Sequence, residues 1–249
     1  MDIQRYDGAG NSFVVIDGRS NPVPLGSDWI VSLCETQQTD GLLILENSTI
    51  ALYKMRYFNA DGSEAFCGNG ARVLAFFAHK NGLLPEQQGK FEALGKIFEA
   101  KYQDELWLIH FQDIDRTSIQ KIFSGYFLNT GVPHYLEETQ ILDTLNLIEQ
   151  AKPLRHHLVF KEGTNVSFFE LKNQRVKLRT FERGVENETQ ACGTAAVALA
   201  IVLATEYHYR SPINIYARGG KLTVYFEEKI NYFTEIWLAG PVKFSPLEQ

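Results

Sequence analysis

The chain has 249 residues, 45% hydrophobic and 22% charged, an ordinary globular balance that allows one large domain or two modest ones without covalent staples. A net charge of −6 with no dense Lys/Arg cluster argues against a nucleic-acid partner and against a membrane surface, and no apolar run is long enough to span a bilayer. The opening MDIQRYDGAGNSF has no apolar run behind a basic stretch, so no signal peptide is expected, and three scattered cysteines make no disulfide framework, so free thiols in a reducing cytoplasm are expected.

In chain order, FVVID (13–17) reads as a strand and SDWIVSLCETQ (27–37) as a helix. LLILE (42–46), LYKMRYF (52–58), FEALGKIFEAKY (91–102) and LWLIHFQ (106–112) read as β-rich stretches separated by turn signals. A helix is expected at 69–81, where Gly82 makes a good stop. The second half repeats the style. A helix is expected at about 139–151, a strand at NQRVKLRTF (173–181) and a buried helix at 194–207. Strands follow at INIYA (213–217), LTVYF (222–226) and EIWLA (235–239).

The halves also repeat in detail. Superposing Cys67-Gly68 on Cys192-Gly193 places Ala71 on Ala196, Leu74 on Leu199 and Ala75 on Ala200. Upstream, Arg56-x-Phe58-Asn59 matches Arg179-x-Phe181-Glu182. TDGLLILE (39–46) faces GTNVSFFE (163–170), and Gly10-Asn11-Ser12-Phe13 faces Gly131-Val132-Pro133-His134. A duplicated architecture follows, with the boundary near 113–118, in halves of residues 1–115 and 116–249. The extreme C-terminal segment is expected to pack back on the first half.

Each repeated Cys-Gly stands at the mouth of an expected helix. The first turn of a helix has backbone N–H groups without intrahelical partners and a partial positive charge, which favour a carboxylate and lower the pKa of a thiol. A neighbouring glycine lets a ligand come close to the backbone. Two such elements aimed at one anion suit inversion at the α-carbon of an amino acid: one sulfur takes the proton from one face, the other returns a proton to the opposite face. N–H groups fixed beside the carboxylate stabilise the carbanion, and no cofactor is chemically required.

Other readings are weaker. Cys34 reads as core. CGNGAR is one residue too short for a phosphatase loop and GNGARV lacks the third glycine of a dinucleotide fingerprint. No paired Cys/His spacing suggests a metal. His134 could be a turn residue or a tuner of a neighbouring thiol, whereas His79, His110, His156, His157 and His208 read as surface or structural. Arg183 could be half of a solvated charge pair with Glu182, and Asn11, Asn59 and Asn165 sit among turn signals, where asparagine is common.

FNADGSEAFCGNGAR (58–72) and ERGVENETQACGTAA (182–196) together resemble the diaminopimelate epimerase family, cofactor-independent epimerases of lysine and cell-wall synthesis. GAGNSFVVID, TDGLLIL, GVPH and EGTNVSF resemble further landmarks of that family, so the likeness runs through most of the chain. It implies an α/β (α+β) fold of two pseudo-symmetric domains, each a mostly antiparallel sheet or barrel wrapped round a central helix, with the active cleft between them. Cys67 and Cys192 become the acid–base pair. Asn11, Asn59, Asn165, Glu182 and Arg183 match positions that hold the substrate, Gly68-Asn69 and Gly193-Thr194 match its carboxylate cradle, and His134 and Glu182 match residues thought to adjust the thiols. The resemblance also implies a homodimer with no cofactor and no metal, acting on a small amino acid.

Three departures bear on substrate choice. Val132 stands where the family usually has asparagine, Ala195 replaces a usual glycine, and ERGVENET is one residue longer than the common form. Alternatives are a proline or hydroxyproline racemase with the same two-thiol logic, a thiol redox protein, and a non-catalytic binding module. The cradles and the lack of a C-x-x-C motif disfavour the redox protein.

Overall fold

The computed structural model describes residues 2–173 and 175–246; Gln174 of the expected strand at 173–181, and residues 1 and 247–249 at the ends of the expected halves, lie outside the described residues. The fold is mixed α/β, rich in strands and with few helices. The chain forms two compact units: residues up to His110 together with those from Gly240 onward, and Phe111–Ala239. Among the described residues, no helix is long and apolar enough to cross a membrane.

In the first unit β1 (Ile3–Gly8) and β2 (Asn11–Asp17) form a hairpin with Gly8 opposite Asn11. Its two turn residues, Ala9 and Gly10, both have positive φ (56° and 86°), the geometry a two-residue hairpin turn demands. Helix α1 (Ser27–Gln37) fills the expected span and crosses over, so that β3 (Gly41–Glu46) pairs parallel to β2. It buries Ile30 and Cys34 against Val14, Ile16, Leu42, Ile44 and Phe58, which places Cys34 in the core as its sequence suggests. Strand β4 (Lys54–Asn59) runs antiparallel to β3, and the short β5 (Glu64–Ala65) folds back on β4.

Helix α2 (Gly68–Lys80) then makes a second crossover to β6 (Gln88–Ala93), which pairs parallel to β4. Gly82, with φ of 76°, turns its N–H to the His79 carbonyl at 3.0 Å and ends the helix where expected. The stretch at 91–102 is a hairpin rather than one strand. Leu94 and Gly95 take positive φ and separate β6 from β7 (Lys96–Gln103), which pairs with β8 (Leu106–Phe111).

The second unit contains β9 (Ile114–Asp115), β10 (Gln120–Ile122), β11 (Gly125–Asn129) and β12 (Pro133–Glu138). Helix α3 (Leu147–Arg155) leads to β13 (Asn165–Lys172), parallel to β12, and β14 (Arg175–Glu182) and β15 (Asn187–Thr189) follow antiparallel. Helix α4 (Gly193–Glu206) crosses to β16 (Ile213–Ala217), parallel to β14. Strands β17 (Gly220–Glu228) and β18 (Tyr232–Gly240) complete the unit, and β19 (Lys243–Phe244), which belongs to the first unit, pairs there with β1. Ala195–Ala204 of α4 are all buried, as the ten-residue apolar run requires.

The order of pairings from β1 to β8 is repeated from β11 to β18. The register repeats too. Phe13 lies opposite Gly41 and His134 opposite Asn165; Phe58 opposite Leu42 and Phe181 opposite Val166; Arg56 opposite Ile44 and Arg179 opposite Phe168. Even the pairing of 10–13 with 131–134, slight in sequence, is real in the backbone, and Gly10 and Gly131 both have positive φ.

Helix α3 departs from expectation: it begins at Leu147, not near 139. Residues 139–146 spend their backbone groups elsewhere. Thr139 N–H extends the strand bond to Phe169, Arg179 Nη1 donates to the carbonyls of Leu142 and Leu145 at 2.6 and 2.9 Å, and Asn146 caps the helix by accepting from Glu149 N–H. The carbonyls a longer helix would use are held by a side chain from β14.

Candidate active site

Cys67 is the N-cap of α2, half-buried and extended in backbone, and its Sγ accepts from Gly70 N–H at 3.4 Å. A Cβ built on Gly68 would meet nothing within 4 Å, so the first turn of the helix opens onto free space. Gly8 lets β1 approach this turn closely, since a Cβ there would lie 2.9 Å from the Asn69 carbonyl oxygen. Asn69, buried, donates from Nδ2 to Asn11 Oδ1 and accepts at Oδ1 from Arg72 Nη2 at 2.6 Å. The structure therefore joins Cys67, Gly68, Asn69 and Asn11 at the mouth of α2. Asn59 stands at the end of β4, accepting from Tyr57 OH (2.8 Å) and donating to Ser63 Oγ (3.0 Å).

Cys192 is the N-cap of α4, extended in backbone and buried, but its sulfur takes no capping bond from the helix N–H groups and lies 3.3 Å from Thr194 Oγ1. Thr194 Oγ1 is also 2.9 Å from His134 Nε2, and the Thr194 carbonyl accepts from Thr130 Oγ1. Glu182 ends β14. Its carboxylate accepts from Thr189 Oγ1 at 3.0 Å and shares a hydrogen bond with the Cys192 thiol. Crowding round that carboxylate desolvates it and raises its pKa, with the bonds from Thr189 and Cys192 opposing the rise. Cys192, Gly193, Thr194, His134 and Glu182 are thus one connected group. A Cβ on Gly193 would touch only the tip of Leu238.

His134 is wholly buried, and its pKa is pushed down to about 3, first by burial and then by the Arg183 charge. It is a neutral imidazole at physiological pH, with Nδ1 lacking a partner. The Asn165 side chain bridges backbone: Nδ2 donates to the Pro133 carbonyl (3.0 Å) and Oδ1 accepts from Arg183 N–H (2.8 Å). Asn165 thereby fixes the start of the Arg183 turn to the strand carrying His134. The Arg183 guanidinium donates to the Glu162 carbonyl at 2.9 Å, so it is not a bare solvated partner of Glu182.

The three departures find definite places. Val132 is half-buried and its carbonyl accepts from Thr130 N–H. Ala195 is completely buried, so its methyl packs inside the unit. The longer loop is taken up by a tight turn, Glu186 N–H to the Glu182 carbonyl at 2.9 Å, with Gly184 at φ of 94°.

The Arg-x-Phe repeat has a structural reason. Arg56 grips Glu64 with two bonds of 2.8 and 2.9 Å, and Arg179 grips Glu188 with two of 2.7 and 2.8 Å. Each fork clamps the strand before a thiol to the short strand leading into it. Sequence reasoning missed Thr130, Thr189 and Arg72. The threonines carry no signal of their own, whereas Arg72 stood in view within CGNGAR, and only its burial marks it out.

A family model described as diaminopimelate epimerase matches residues 5–110 and 126–244. A diaminopimelate epimerase of Flavobacterium psychrophilum is 32% identical, with 98% of each chain covered. One from Chlorobaculum tepidum is 36% identical over 95% of this chain and 96% of its own. Among solved structures, a phenazine biosynthesis protein of the PhzF family from Bacillus anthracis has a TM-score of 0.74 at 16% identity, over 97% of this chain and 96% of that one. A hydroxyproline epimerase from Agrobacterium vitis has a TM-score of 0.62 at 14% identity, over 98% and 90%. At such identity these two share the fold alone. With both thiol helices inside the matched segments and the curated relatives alike from end to end, the chain belongs to the diaminopimelate epimerase family.

Proposed function

We propose that this protein is a cofactor-independent isomerase that interconverts LL- and meso-diaminopimelate, supplying lysine and cell-wall precursors. The observation that carries the reading is the repeated thiol at a helix mouth, Cys67 on α2 and Cys192 on α4, within a chain of this family. The two sulfurs serve opposite faces of one α-carbon. A thiolate takes the α-proton, the electron pair passes toward the substrate carboxylate, and the opposite thiol gives its proton to the other face. Helix N–H groups beside Gly68 and Gly193 hold that carboxylate where negative charge grows. On the Cys192 side, Glu182 and the Thr194–His134 pair orient the thiol, and the imidazole stays neutral. Arg183 and the asparagines Asn11 and Asn59 are the proposed contacts for the amino-acid-like far end, which proline lacks.

Purified protein should convert LL-diaminopimelate to the meso form on chiral separation, and in deuterated water it should place one deuteron at one α-carbon. Added pyridoxal phosphate or chelator should leave the rate unchanged. Turnover of proline or trans-4-hydroxyproline with none of diaminopimelate would replace this reading by the racemase one.

A further inference from the structure

The two thiol sites share a backbone plan but not a charge pattern. The repeat sets Arg72 on Val197, Asn59 on Glu182, Asn69 on Thr194 and Phe13 on His134. Round Cys192 the ionisable neighbours are a carboxyl group and a neutral imidazole, with the Arg183 charge acting on that imidazole. On the Cys67 side the outstanding residue is Arg72, one of the largest wholly buried side chains in the protein. Its Nη2 donates to Asn69 Oδ1, while Nε and Nη1 are buried without a hydrogen-bond partner. A buried guanidinium with two nitrogens unsatisfied is costly, and a bland core position would carry the valine found at its counterpart.

We propose that Arg72 is a positioning residue for Cys67: its buried cation, tied through Asn69 to Asn11, supplies the counter-charge that keeps the sulfur at the mouth of α2 anionic and ready to accept a proton. This rests on the acid–base reading given above for the two thiols. It assigns a resting polarity to the pair, with the base at Cys67 and the acid at Cys192.

The surroundings support it. Burial lowers the Arg72 pKa to about 10, which still leaves it charged at neutral pH, and an ionised Cys67 would oppose that fall. The strands packed against α2 are β1, β2, β3, β4 and β7. On β1, Asp7 accepts from Gly10 N–H and Arg5 donates to the Gln38 carbonyl. On β2, Asp17 is paired with Arg19; on β3 and β4, Glu46 is paired with Lys54 and Arg56, and Arg56 with Glu64. On β7, Lys96 is exposed and Glu99 and Lys101 are half-buried. None of these is a charge that shifts Arg72. In the second unit the position of Arg72 is held by the buried Val197.

The test is alkylation by iodoacetamide across pH, without substrate, with each cysteine read separately by peptide mass. In the unaltered protein Cys67 should reach its half-maximal rate at a lower pH than Cys192. Arg72→Gln should raise the Cys67 midpoint by about 1–3 pH units, the range an opposite charge commands, and leave Cys192 where it was. Arg72→Lys should restore most of the shift. The acid limb of the turnover profile should move with the Cys67 midpoint, so that raising the pH rescues Arg72→Gln. A folded Arg72→Gln variant whose Cys67 midpoint stays put while activity falls would show Arg72 to be structural only. A Cys67 midpoint above that of Cys192 in the unaltered protein would overturn the assignment even if Arg72→Gln failed to fold. The alkylation needs no diaminopimelate, so a failed epimerase assay beside the expected shift would remove the proposed substrate and leave the role of Arg72 standing.

Discussion

At the scale of single residues, the same duplicated site has been given two electrostatic characters by a few side chains. Glu182 and His134 make opposite demands on stability. Glu182 has a raised pKa in the folded state, so its contribution is fully present below the ordinary glutamate pKa and is lost as pH rises through the folded value. Glu182→Gln should therefore gain stability over the unaltered protein as pH is raised from 4 to 8, read by urea denaturation; a gap that does not widen contradicts the desolvated carboxylate. His134 is the reverse. Its pKa falls to about 3, so the unfolded chain binds the proton first, and stability is lost as pH falls from the ordinary histidine value toward 3. The slope from this one group is at most about 1.4 kcal/mol per pH unit. His134→Gln should flatten that window, and an unchanged slope in the variant would mean that other groups carry the acid sensitivity.

At the scale of elements, the thiol helices are placed by what precedes them. Each follows a clamped strand pair, Arg56–Glu64 or Arg179–Glu188, which fixes where the chain re-enters the unit. Gly8 and Gly68 separate packing from function in α2. A methyl on Gly8 would press on the Asn69 carbonyl and Val73, both at 2.9 Å, and should cost about 1–3 kcal/mol and disturb the first turn. A methyl on Gly68 meets only open space. Gly68→Ala should melt close to the unaltered protein yet show a clearly higher KM, because the added group stands where the substrate carboxylate is proposed to sit. Equal melting losses in both variants would mean the space at Gly68 is not open.

At the scale of the whole molecule, the repeated pairing order from β1–β8 to β11–β18 makes each unit a complete copy of one strand-and-helix plan. If each copy serves one face of the α-carbon, single-thiol variants should split the reaction. Cys192→Ala and Cys67→Ala should each lose epimerisation by at least about 10²–10⁴-fold, the usual weight of a positioned acid or base, while keeping a native circular dichroism spectrum. Each should still exchange the α-proton of one stereoisomer with solvent deuterium, and the two variants should choose opposite isomers. Near-normal turnover in either would end the two-base mechanism.

The sequence by itself determined the duplication, the two thiol helices, helix α1 and the buried α4, because each rests on local periodicity and on short motifs repeated in order. It also carried Cys34 into the core. It failed at α3, where the deciding bonds come from Arg179, distant in the chain, to carbonyls that the periodicity of 139–146 cannot reveal. It offered Asn165 as a turn residue or a substrate contact, and the fold gives its amide two backbone partners. Only the tertiary structure decided the charge environment of the two sulfurs. The burial of Arg72, the desolvation of Glu182 and the neutrality of His134 depend on which atoms are brought round them, and a charge's cost in low dielectric is set by that enclosure, not by its neighbours in sequence.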